Sequence, residues 1–138
     1  MAESPRDKGL ALFAEIYGED MARTTREHME SNTAFGAKQT EWTIDFAFGE
    51  VWSRDGLERK MRSCAVLGML IASRAYDEIV YHTRMGLKNG LTRQELEEIF
   101  YSAIPYAGFP AAQSAKKAML EAFAQIDAET ARSQPPPR

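Results

Sequence analysis

Two histidines and one cysteine are present among 138 residues, so chemistry that needs imidazole or sulfur has few places to reside. His82 lies in residues 74–90, RAYDEIVYHTRMGLKNG, with Glu78 four residues before it. On a helix, Ala75, Glu78, His82 and Met85 fall along one edge, because residues three and four apart are neighbours. Imidazole titrates near neutrality and gives or takes a proton at working pH. A carboxylate one turn away can orient the ring or raise its pKa. The same spacing equally describes a surface contact worth roughly 0.2–0.5 kcal/mol. His28, within the charged run TTREHME, reads as a solvated side chain.

Glu50 stands in GEVWSR, residues 49–54, beside Trp52. A carboxylate against aromatic surface is poorly solvated and can be held protonated as a general acid. The other reading is a helix-end charge that pairs with Arg54. Arg54, Arg59 and Arg62 are candidates for a substrate carboxylate, since guanidinium matches carboxylate with two parallel hydrogen bonds. Arg62 adjoins an apolar run and needs a partner there, either from a substrate or from an acid on a neighbouring helix. Trp52 and Tyr106 suit a pocket wall or, equally, a core. Cys64 stands in apolar surroundings, which raise a thiol pKa and predict a packed, inert side chain.

A lone cysteine rules out an intrachain disulfide and a cysteine-based metal site. No HxH, HxxxH or acid–histidine cluster of ligand spacing occurs, so no metal is expected. The net charge is −3 and the Lys and Arg residues are scattered among acids, which predicts neither nucleic acid nor an anionic membrane as partner. Apolar residues make up 44% and charged residues 27%, the balance of a soluble globular chain. The longest apolar run, residues 65–72, is too short for a membrane span. The polar start MAESPRDKG has no signal-peptide core, so the expected location is the cytoplasm.

The elements that must position these side chains all read as helices, with no sustained period-two alternation anywhere. Length predicts one domain, with frayed ends at residues 1–7 and 131–138. From Gly9 to about Glu30 the apolar residues recur at spacings of three and four, and Gly18 is a possible break. A second segment covers Glu41 to Trp52, with Trp42, Phe46 and Phe48 forming an aromatic surface. Asp55 and Glu58 have capping-box spacing and predict a helix through Ala72, whose AVLGMLIA run is apolar nearly all round and so buried on most sides. Gly90 closes the His82 helix, and Thr92 with Glu95 makes a second capping box. Pro105 is expected to bend or end the following helix, residues 106–110 to form a short turn, and Pro110 to open a last helix reaching about Glu129. The result is an all-α single compact domain of six to seven helices. The apolar 57–72 helix and the small-residue run from Ala103 to Ala118 offer more close-packing surface than one small bundle uses, which predicts an oligomer.

Several separated motifs keep a familiar order and spacing: GEVWSR at 49–54, GLERKMRS at 56–63, His82, KNGLT at 88–92, Glu95 to Glu98, and YAGFPAA at 106–112. Over roughly residues 40–125 the chain resembles the carboxymuconolactone decarboxylase family. That resemblance implies an alkyl hydroperoxidase D-like helical bundle assembled into trimers or hexamers, with active sites between helices near subunit contacts. It supports a site role for His82 and for an acidic residue at Glu50; with these, the candidate catalytic residues are His82, Glu50 and Glu78, and Arg54, Arg62, Trp52 and Tyr106 stay candidate substrate contacts. The wider superfamily carries Cys-x-x-Cys with a histidine three residues on. Here Ala75 and Glu78 occupy the cysteine positions before His82, which excludes thiol peroxidase chemistry of that kind.

The implied reaction is loss of carbon dioxide from a γ-carboxy butenolide in aromatic-acid catabolism, with no cofactor. An isomerase or another proton-transfer enzyme on an unsaturated acid is the second reading, and a non-catalytic oligomeric small-ligand binder the third.

Overall fold

In a computed structural model describing residues 2–135, helices α1 (Pro5–Tyr17) and α2 (Glu19–Ser31) are followed by α3 (Lys38–Trp42). The chain then runs on without a break into a π-helical segment, Thr43–Trp52. After it come α4 (Arg59–Ala72), α5 (Tyr76–Lys88), α6 (Arg93–Ala107) and α7 (Phe109–Ser133). No strand occurs among the described residues, so the fold is all-α as expected. The chain divides after Glu58 into two compact units.

In the first unit, α1 lies along the π-helical segment and α2 packs on α1. Residues 4–7 are anchored, contrary to the fraying expected there. Ser4 caps α1: its hydroxyl accepts from the Asp7 N–H at 3.1 Å, the Asp7 carboxylate accepts from the Ser4 N–H at 3.4 Å, and Pro5 fills the first helical position. Gly18 ends α1 and begins α2, the break expected there. Two glycines let the backbones meet: a Cβ on Gly9 would collide with the Ile44 carbonyl, and one on Gly49 with that of Pro5. Ile44, Phe48 and Trp52 are buried, and Phe13 meets Phe48 edge-on at 5.8 Å. Trp42 and Phe46 are exposed, so only part of the expected aromatic surface is core.

In the second unit, α5 packs on α4 and α7, and α6 on α4 and α7. Its core holds Leu67, Ile71, Ile79, Leu91 and Leu96 against Ala111, Ala115, Ala118 and Met119. Alanines at helical spacing let the neighbouring helices approach α7 closely, so Ala111, Ala112, Ala115 and Ala118 of the small-residue run are buried inside this bundle. α4 differs from the expectation in the other direction. It buries one stripe, Ser63, Leu67 and Ile71, and leaves Met61, Ala65, Gly68 and Met69 exposed.

Local chemistry sets the helix ends. α4 begins at Arg59, after a turn and bend at residues 55–57, so the Asp55–Glu58 capping box predicted from spacing is not the helix start. α5 closes as expected near Gly90: the Leu91 N–H donates to the Gly86 carbonyl at 2.9 Å and the Gly90 N–H to that of Leu87 at 3.2 Å, with Gly90 at φ +106°. The Thr92 capping box forms, with both bonds to Glu95 at 3.0 Å. Pro105 neither ends nor replaces helix by turn: α6 continues to Ala107, Gly108 follows, and α7 starts at Phe109. α7 extends to Ser133, into the stretch expected to fray, while residues 1 and 136–138 of the expected ends lie outside the described residues.

Candidate active site

His82 sits on α5 beside the core stripe of Ile79, Thr83 and Gly86. This face is fixed by the Gly86 packing, where a Cβ would press on the Leu91 side chain and lie close to Leu67 and Ser63. Half-buried, with the Tyr81 ring edge-on at 5.1 Å, the imidazole has its pKa lowered to about 4 because burial penalises the charged form. That direction is opposite to the one a carboxylate partner would impose. Glu78, one turn earlier, is exposed, and burial alone accounts for the shift on His82.

On α4, Arg62 is half-buried and its Nε is sealed from solvent with no hydrogen-bond acceptor in reach. The demand for a partner at this position, visible in the sequence, is therefore unmet by neighbouring acids at that atom. Two buried hydroxyls lie nearby in sequence on the packed faces. Ser63 accepts from Asn89 Nδ2 at 3.0 Å, whereas Thr83 Oγ1 has no hydrogen-bond partner. Thr83 carried no sequence signal, because a threonine next to histidine looks like any helix residue.

Tyr106 is almost fully exposed on α6, at the rim of an apolar cavity of about 390 Å³ that Cys64, Ile99, Ser102 and Ala103 also line. Burial, then the negative charge of Glu95, pushes the Cys64 thiol up, in keeping with a packed, unreactive sulfur.

In the first unit the π-helical segment ends in a tight turn: Ser53 donates from its hydroxyl to the Gly49 carbonyl at 2.6 Å and from its N–H to that of Phe48 at 3.1 Å. This turn brings Glu50 and Arg54 to one open cavity of about 690 Å³, with Glu3, Lys8, Ser53 and Asp55. Glu50 is exposed, so the poor solvation expected of a carboxylate beside Trp52 is not its situation. Trp52 is buried and belongs to the core rather than to this cavity wall. Lys8 was missed because the polar N-terminus read as frayed; the Ser4-x-x-Asp7 spacing with Pro5 was the signal that could have found it. His28 is exposed and meets Asn32 at 3.1 Å. Among the described residues no group of three or more His, Cys, Asp or Glu side chains is placed to hold a metal ion. No helix among them is long and apolar enough to cross a membrane.

A 4-carboxymuconolactone decarboxylase from Acinetobacter baylyi is 34% identical over 119 residues, covering 86% of this chain and 87% of its own. A nitrosuccinic acid decarboxylase from Metarhizium robertsii is 33% identical over 104 residues, covering 75% of this chain and 71% of its own. The family description matching residues 38–121 spans α3, the π-helical segment, α4, α5, α6 and the first half of α7, and with these two relatives it establishes that the chain belongs to the carboxymuconolactone decarboxylase family.

Proposed function

We propose that this protein is a cofactor-free decarboxylase of a small carboxylated lactone of the 4-carboxymuconolactone kind, with His82 as its proton-transfer residue. The observation that carries the reading is a half-buried imidazole, neutral at pH 7, on α5 within the matched region. As carbon dioxide leaves a γ-carboxy butenolide, the electron pair of the breaking C–C bond delocalises through the ring double bond into the lactone carbonyl. The protein must then place the substrate's carboxylates, stabilise the developing oxyanion and protonate carbon. Neutral His82 cannot protonate carbon until it takes up a proton. A substrate anion beside it favours the charged form, so binding charges the ring and turnover discharges it onto carbon. Arg62, with Nε still lacking an acceptor, is assigned to a substrate carboxylate through charge-assisted hydrogen bonds.

Glu50 and Arg54 are carried as separate assignments, Arg54 to an anion and Glu50 to a polar contact, each read by its own variant. Trp52 supports their segment from within. Glu78 and Tyr106 are exposed and receive no step. The nitrosuccinic acid relative favours a second reading in which the acid is not a lactone but still bears a group able to hold the electron pair. We also infer a trimer or hexamer, supported by the bare apolar face of α4, and light scattering on the purified protein reads it directly.

Purified protein is incubated with 4-carboxymuconolactone and carbon dioxide release is followed. Release is expected, with His82→Gln lowering kcat by roughly 10²–10⁴-fold. No release with the lactone but release with nitrosuccinate selects the second reading; release from neither overturns both. Full activity in His82→Gln removes the central assignment.

A further inference from the structure

The π-helical segment Thr43–Trp52 is held by more than its own hydrogen bonds. Helices with i→i+5 bonding are rare and poorly self-sustaining, so ten residues in that form need an external brace. α1 supplies it. Arg6 donates from Nε to Asp45 Oδ1 at 2.9 Å and from a terminal nitrogen to Asp45 Oδ2 at 2.8 Å, the bidentate fork that fixes angle as well as distance. The same terminal nitrogen reaches Glu41 at 3.3 Å, and Lys38 holds the other Glu41 oxygen at 2.8 Å. Asp45 and Glu41 are both held below the usual carboxylate range, first by their hydrogen bonds to Arg6 and Lys38 respectively. On either side of this clamp the Gly9 and Gly49 contacts leave no slack between the two backbones. The segment's far end carries Glu50, and Arg54 follows its closing turn into the same cavity.

We propose that Arg6 is a positioning residue: through Asp45 it sets the π-helical segment so that Glu50 and Arg54 line one cavity. This rests on the assignment of Glu50 and Arg54 to the reaction. Loss of the fork lets the segment shift along α1, and misplacement of about 1 Å is enough to cost about 100-fold in rate.

The test uses the full chain. Arg6→Ala is expected to lower kcat/KM roughly 100-fold, Arg6→Lys to recover part of it, and the reversed pair Arg6→Asp with Asp45→Arg to recover more than either single change. Arg23→Ala, which breaks an exposed ion pair with Asp20 on α2, is the control and leaves activity unchanged. In a background where both positioned groups are removed, Glu50→Gln with Arg54→Gln, Arg6→Ala is expected to cost little more, because groups acting through one another are non-additive. Full additivity overturns the proposal, since it marks a general loss of folded protein. If the wild-type protein releases no carbon dioxide, the functional reading fails and amide hydrogen exchange decides alone. Arg6→Ala is expected to speed exchange at residues 43–54 at least tenfold while α5 and α7 keep theirs, and unchanged exchange there overturns the proposal.

Discussion

Beyond the carboxylates that its ion pairs hold low, acid should weaken this fold through His82. Burial lowers the His82 pKa from its ordinary 6.5 to about 4. Above pH 6.5 the ring is neutral in folded and unfolded chains alike and contributes no pH dependence. Between pH 6.5 and 4 the unfolded chain binds a proton that the folded one refuses, so stability falls as pH falls through that window and the loss levels off below it. At about 1.36 kcal/mol per pKa unit the full loss is about 3 kcal/mol, and the ring's remaining exposure trims it to roughly 2–3 kcal/mol. Against a total of roughly 5–15 kcal/mol for a typical domain, that is a large fraction. Urea unfolding at pH 7, 5.5 and 4.5 measures it, with His82→Gln as the reference because glutamine does not titrate and other acid effects cancel between the two. Wild type should lose the extra 2–3 kcal/mol while the variant does not. The imidazole resonances of His82, assigned by deleting His28, should titrate near pH 4 in the free protein and higher with a dicarboxylate ligand bound. Parallel acid curves for wild type and variant, or a His82 titration at 6.5 or above in the free protein, would refute the reasoning.

Other substitutions test the scaffold. Gly49→Ala forces a methyl into the Pro5 carbonyl and should cost about 3 kcal/mol, read as a lower urea midpoint with unchanged slope. Thr92→Ala removes the hydroxyl that accepts from Glu95 and should cost about 1 kcal/mol in the same assay. Arg74 holds φ +57° at the end of α4, a conformation that costs a side-chain-bearing residue about 1–2 kcal/mol. Arg74→Gly should therefore stabilise by roughly 0.5–1 kcal/mol once glycine's greater unfolded-state freedom is deducted, and a lower thermal midpoint would show that the arginine side chain does something here that backbone geometry does not reveal.

The helices were legible where local grammar and period agreed: Gly90 and Thr92 mark a stop and a start by rules that do not depend on tertiary contacts. Where the grammar was ambiguous, packing decided. The Asp55–Glu58 spacing fits a cap as well as Thr92–Glu95 does, yet only the second begins a helix. Pro105 reads as a stop, but it lies two residues from the end of α6 and the helix closes through Gly108 instead. His82 and Arg62 could be singled out from residue type, whereas the sign of the His82 shift could not, because a carboxylate partner and burial would push in opposite directions and spacing does not reveal depth. The π-helical form of residues 43–52 was illegible for a similar reason. Its hydrogen bonds leave no periodicity that an apolar pattern distinguishes from an α-helix over so short a stretch, and the brace that sustains it comes from Arg6, nearly 40 residues away.

A histidine kept neutral by burial is well suited to the proposed reaction because of how charge moves in it. A dicarboxylate arrives with two negative charges, leaves one carboxylate behind as carbon dioxide, and keeps the electron pair as a carbanion equivalent until carbon takes a proton. The overall change consumes one proton. A ring that titrated at 6.5 would be partly charged before substrate arrived and would hold its proton against product as well. In the proposed reaction, a pKa near 4 would let His82 carry a proton only while the substrate's negative charge stands beside it, deliver that proton to carbon as the charge falls, and return to the neutral form burial prefers. Under the proposed function, the desolvation that destabilises the fold in acid would couple protonation to occupancy, which is why the stability curve and the ligand-bound titration of the same ring test one argument.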